Sequence, residues 1–153
     1  MSLKEEVDIL RNIPLFAKLE PAKLKLLAFT SERLTYDSGE ALFKQGDMGD
    51  AAYIIVDGSA EVLIEAPTGP IRVAELARNA IVGEIAILCD VPRTATVKAQ
   101  SRLVTLRIAK ETFFRLLTEF PQIAIEIMRE LAARLEHTNA QLREAITRAK
   151  TAN

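Results

Sequence analysis

Residues 83–97 read GEIAILCDVPRTATV. A glycine is followed at once by an acid, Glu84, and a short apolar run leads through Val91-Pro92 to a base, Arg93, before a β-branched strand begins. An isolated guanidinium among apolar residues is costly to desolvate unless something negative meets it. Its planar fork of donors suits a phosphate. Two arrangements satisfy these residues. Glu84 and Arg93 can pair and staple the turn as a buried ion pair. Alternatively, Gly83 takes up positive φ or a close approach, and Ile85, Ala86, Ile87 and Leu88 form a helical turn. The first N–H groups of that turn, together with Arg93, then make an anion site. A carboxylate beside an anion site is useful when it accepts from a hydroxyl, so the second arrangement points to a ligand carrying a phosphate and a free hydroxyl close together. A nucleotide meets that description.

Working outward, the flanking pattern is β-rich. From Ser31 to about Ala109, short runs (LTY, ALF, AYIIV, AEVLIEA, IRVAEL, TATVKA, RLVTLRI) alternate with turn signals such as Asp57-Gly58 and Thr68-Gly69. Many short strands at regular spacing predict an antiparallel sandwich or barrel. Both ends are helical. Ser2 with Glu5 fits a capping box, and Leu3, Val7 and Leu10 share a face of a helix that Pro14 stops. Pro21 suits the first turn of a second helix, with Leu24, Leu27 and Ala28 inward. After Lys110, Phe113, Phe114, Leu116 and Leu117 predict a short packed helix, and Pro121 opens a long one running to roughly Ala149. Ile127, Leu131, Leu135, Thr138, Leu142, Ala145 and Ala149 form a seam on that helix with a spacing near 3.5, which suits a homodimeric coiled coil; the alternative is a helix that packs only its first half.

Composition bounds the function. The chain has 153 residues, 49% of them apolar and 5% aromatic, without tryptophan, so aliphatic residues must fill the core. A net charge of −1 argues against a broad nucleic-acid face. The single cysteine, Cys89, reads as a small buried hydrophobe in a reducing compartment. No apolar run approaches a membrane span, and the charged N-terminus has no signal core, so a soluble cytoplasmic protein is expected. No metal-ligand cluster, nucleophile pair or phosphate-binding loop of the NTPase type occurs, so no enzyme, metal or cofactor is expected.

Gly83-Glu84-Ile85-Ala86 followed by Pro92-Arg93-Thr94-Ala95-Thr96-Val97 resembles the phosphate-binding cassette of the cyclic-nucleotide-binding domain family, which includes protein kinase A regulatory subunits, cyclic-nucleotide-gated channels and the catabolite activator protein. Gly39-Glu40, Gln45-Gly46-Asp47, Gly49-Asp50, Tyr53-Ile54-Ile55 and Gly58 with Val62 match the family's strand-and-turn signature in order and spacing. The similarity runs over roughly residues 13–135. It implies a mainly β, α+β single domain over 1–153: N-terminal helices (1–30), an eight-stranded antiparallel β-roll or jelly roll (31–109) holding the cassette (83–97), and C-terminal helices (110–150) ending in a lid helix. By position it makes Arg93 the partner of a cyclic phosphate and Glu84 the acceptor of the ribose 2′-OH, with Ala86 and Thr94 at the phosphate and Ile85 and Ala95 beside them. Family members often carry Gly-Asp and an aromatic before the cassette. Here the run is Arg78-Asn79-Ala80-Ile81-Val82, so Val82 is expected to meet the base. The resemblance implies cAMP ahead of cGMP, because bacterial-looking domains of the family more often read cAMP; Thr94 does not discriminate. A cation from the last helix is expected to cap the base: Arg134, with Leu131, Leu135 and His137 as alternates and a solvated helix face as the competing role. The implied function is a sensor that repositions its last helix toward a twin subunit or an unidentified effector. The competing function is a ligand-free interaction or oligomerisation module of the same fold. About 40 residues after the barrel leave no room for a winged helix–turn–helix, so no DNA-binding role is expected.

Overall fold

The structure, a computed structural model, describes residues 3–14 and 16–151. The chain forms two compact units, residues 1–115 and 116–153. The first begins with helices α1 (Leu3–Arg11) and α2 (Pro21–Thr30). Val7 and Leu10 of α1 and Leu24, Leu27 and Ala28 of α2 are buried as their spacing predicts, whereas Leu3, on the same predicted face, is exposed. Ser2, and with it the predicted capping box, lies outside the described residues.

Eight strands follow: β1 (Glu32–Tyr36), β2 (Ala41–Phe43), β3 (Ala51–Asp57), β4 (Ala60–Ala66), β5 (Gly69–Leu76), β6 (Ile81–Val82), β7 (Thr96–Ala99) and β8 (Leu103–Ala109). They form two four-stranded antiparallel sheets, ordered β1-β8-β3-β6 and β2-β7-β4-β5. This is the eight-stranded β-roll expected. A core cluster draws Ala51, Tyr53, Ile55, Val82 and Leu103 from the first sheet and Leu42, Ala60, Val97 and Ala99 from the second. Ile54, Leu106 and Ile108 alternate with these residues along β3 and β8, so they face the other way, and they too are buried. Burial on both faces explains why β3 and β8 read as continuous apolar runs. The predicted turns fall at Gly58 and Gly69, with φ of 88° and 117°.

Between β6 and β7, α3 (Glu84–Cys89) forms a turn and a half of helix. It starts one residue earlier than predicted, at Glu84, and ends at Asp90, which takes a left-handed conformation with φ 52°. Glu84 and Ile87 occupy its buried side, and Ile85 and Cys89, four residues apart, its exposed side. Cys89 is therefore not the buried hydrophobe expected, because the helical phase turns it outward.

Helix α4 (Lys110–Glu119) spans the boundary of the two units. It buries Phe113 and Leu116 and leaves Phe114 exposed, contrary to the expectation that both phenylalanines pack. The second unit is mostly α5 (Pro121–Thr151), which buries Ile123 and Ile127. Along the predicted seam only Ile127 is buried and Leu131 half-buried; everything from Ala132 to Thr151 is exposed.

Candidate functional site

The site grows from Gly83. Its φ of 86° is one that L side chains rarely adopt, and it is the N-cap of α3. A Cβ there would lie 2.6 Å from Arg93 Nη1, 3.2 Å from Phe43 Cε2 and 3.4 Å from the Ala51 carbonyl oxygen. Glycine is thus required twice, by conformation and by the approach of the guanidinium.

The Arg93 side chain is 1% exposed. Nη1 donates to the Gly83 carbonyl at 2.7 Å and Nη2 to the Ala51 carbonyl at 2.7 Å. The guanidinium carbon stands 4.0 Å over the centroid of the Phe43 ring. Asp50 Oδ1 is 3.8 Å from Nη2. Nε is buried and has no hydrogen-bond partner. Burial pushes the Arg93 pKa down, and Tyr53, Asp50 and Asp47 oppose that shift.

A backbone clasp holds Arg93 against the β2–β3 loop. Its N–H donates to Asp47 at 2.7 Å, and its carbonyl accepts from the Gly46 N–H at 2.9 Å. The loop is itself closed by Asp47 Oδ2, which accepts from the Lys44 N–H at 3.1 Å. Gly49 seats the loop on α3: a Cβ at Gly49 would be 2.7 Å from the Ala86 Cβ. Asp50 is shared, because Arg107 Nη2 donates to its Oδ2 at 3.1 Å. Burial would lower the Arg107 pKa, but the Asp50 charge, with help from Tyr53, raises it overall. Lys110, the first residue of α4, donates its N–H to the Asp50 carbonyl at 2.9 Å, and its Nζ lies 3.6 Å from Asp90 Oδ1.

The predicted residues divide accordingly. Val82 is buried where β6 pairs with Tyr53 of β3. Glu84 and Ala86 are buried in α3, and Ile85 is exposed. Arg93 meets the carbonyl of the residue before Glu84, which brings the guanidinium to the start of α3. Thr94 is exposed and Ala95 half-buried. Arg134 belongs to the second unit and donates to Glu130 one turn earlier at 2.8 Å. Phe43, Ala51 and Arg107 were not singled out from sequence, and Asp50 only as part of the Gly49-Asp50 signature, without a role at the site. Arg107 carried a signal of its own, as a charge between Leu106 and Ile108 in a β-rich run. Among the described residues no cluster of His, Cys, Asp and Glu could hold a metal ion, and no helix is long and apolar enough to cross a membrane.

This cassette matches a known pattern: the family model for the cyclic nucleotide-binding domain aligns with residues 33–120. The chain belongs to the cyclic nucleotide-binding domain family. This cyclic nucleotide-binding domain is 36% identical over 109 residues to a cAMP-dependent protein kinase regulatory subunit of Blastocladiella emersonii, covering 71% of this chain and 27% of that protein. It spans about a quarter of the length of the curated relatives it matches. Among solved structures it resembles a cyclic nucleotide-binding-like protein from Brucella abortus (33% identity, TM-score 0.63, 74% of this chain and 98% of that one). It also resembles the catabolite activator protein of Thermus thermophilus (28% identity, TM-score 0.76, 84% and 61%).

Proposed function

We propose that this domain binds a 3′,5′-cyclic nucleotide, cAMP ahead of cGMP, and acts as a regulatory sensor. The observation that carries the reading is the state of Arg93. Its two terminal nitrogens are tied to carbonyls, its face is covered, and its buried Nε has no partner. A buried donor without an acceptor is costly, and an anion relieves that cost with a charge-assisted bond. In this reading Arg93 meets the cyclic phosphate, assisted by the Ala86 N–H and Thr94. Glu84 accepts from the ribose 2′-OH, which a 3′,5′-cyclic phosphate leaves as the free sugar hydroxyl. Val82 meets the base. The names of the fungal relatives, cAMP-dependent protein kinase regulatory subunits, support cAMP. Output passes through α5, whose position the ligand shifts by no more than its differential affinity for two states. Met128, Leu135 and Leu142, seven residues apart and 58–60% exposed, offer that helix a seam for a second copy of the chain.

Thermal melts against cAMP, cGMP and AMP test the reading. At 100 times Kd a cyclic nucleotide adds about 2.7 kcal/mol of stability, and AMP adds none. No shift with either cyclic nucleotide overturns the reading in favour of an interaction module.

A further inference from the structure

Phe43 ends β2, and its ring has two neighbours of different kinds. One is Tyr53, a residue of the inter-sheet core, with ring centroids 5.9 Å apart and an interplanar angle of 35°. The other is the guanidinium of Arg93, 4.0 Å above the ring centroid. The same ring abuts Gly83, whose carbonyl takes the Nη1 bond.

A guanidinium that is 1% exposed has lost its hydration, so its surroundings must replace it. The carbonyls of Gly83 and Ala51 hold two of its nitrogens, but they do nothing for its faces. The negative face of the Phe43 ring attracts the cation over one of them and limits its tilt. An aliphatic side chain of similar size would fill the space without supplying that attraction.

We propose that Phe43 is a positioning residue for Arg93: the charge distribution of its ring fixes the guanidinium so that the unpartnered Nε faces an incoming anion, and this sets ligand affinity. The inference rests on the reading of Arg93 as the phosphate partner, and it adds a determinant of affinity from outside the cassette.

The test separates ring electronics from ring shape. Full-length chains carry Phe43 as phenylalanine, 4-fluoro-, 3,5-difluoro- or 3,4,5-trifluorophenylalanine, alongside Phe43→Leu. Calorimetry gives Kd for cAMP. The expected result is a stepwise rise in Kd with each fluorine, reaching roughly 2- to 30-fold in Phe43→Leu, while melting temperatures across the fluorinated series stay within about 2 °C. A flat fluorinated series overturns the inference, whether or not Phe43→Leu loses affinity, because shape alone would then account for the residue. If the native chain binds neither cAMP nor cGMP, the functional reading falls and the Arg93 Nε–H resonance of the ligand-free protein decides. A stepwise rise in the hydrogen-exchange rate of that N–H with each fluorine upholds the positioning role, and equal rates across the fluorinated series overturn it.

Discussion

Replacing Gly83 with alanine strikes the fold and the site at one atom. The added methyl costs about 1–2 kcal/mol for a left-handed L-residue. It also stands 2.6 Å from Arg93 Nη1. The end of a long side chain ordinarily yields, but this one is held by the Gly83 carbonyl at 2.7 Å, by the Ala51 carbonyl at 2.7 Å and by the Phe43 ring. Loosening one charge-assisted bond adds about 1.5–3 kcal/mol. The total of about 2.5–5 kcal/mol corresponds to a melting temperature lower by about 5–20 °C for a domain of this size. Gly39→Ala is the control. Gly39 has φ 91° and nothing within 4 Å of the added Cβ, so it incurs the conformational cost alone. Urea denaturation of both variants, with cAMP titrations of each, isolates the difference. Gly83→Ala should lose more stability than Gly39→Ala and also lose cAMP affinity, which Gly39→Ala keeps. Equal stability losses with unchanged affinity in both would refute the close approach of Arg93 to the cassette glycine.

Three further outcomes are expected. Arg93→Ala weakens cAMP binding by about 2–5 kcal/mol, as for removal of one member of a buried charged pair; calorimetry showing affinity within a factor of two would remove Arg93 from its assigned role. Tyr36, half-buried, has its pKa pushed up to about 12 from 10.0 by burial and then by Tyr53. Because the folded-state value is the higher one, its contribution is complete below pH 10 and is lost as pH rises toward 12, by at most about 1 kcal/mol once solvent screening is allowed for. Tyr36→Phe should flatten that segment of a stability–pH curve, and an unchanged slope would contradict the burial. Leu142→Glu, placed on the exposed seam of α5, should turn a dimer into a monomer in light scattering while cAMP binding persists; a native chain that is monomeric at every concentration would exclude the twin-subunit route.

The fold was legible wherever burial was simple. AYIIV and RLVTLRI announced themselves because β3 and β8 are covered on both faces, and the helices at both ends were bounded by Pro21 and Pro121. IRVAEL alternates like a half-buried strand, yet Ile71 and Val73 are exposed, because β5 is the edge of its sheet and alternation cannot report the absence of a neighbour. The two-residue β6 is too short for any period; only the family resemblance, with its eight strands, anticipated it. The cassette could be read because Gly83 and Arg93 are ten residues apart in one stretch. The remaining neighbours of Arg93 were hidden by sequence distance: Ala51 is 42 residues away, and Asp50 meets Arg107 across 57. Local pattern carries no information on such pairings, which the strand order alone creates.

Lys110 ties α4 to two places with unequal fastenings. The bond from its backbone N–H to Asp50 is short and directional, while its ammonium reaches Asp90 through an exposed contact worth at most about 1 kcal/mol. Added salt screens the second and barely touches the first. Rising ionic strength therefore weakens the Lys110–Asp90 fastening alone, and the start of α4 keeps its bond to the loop beside Arg93.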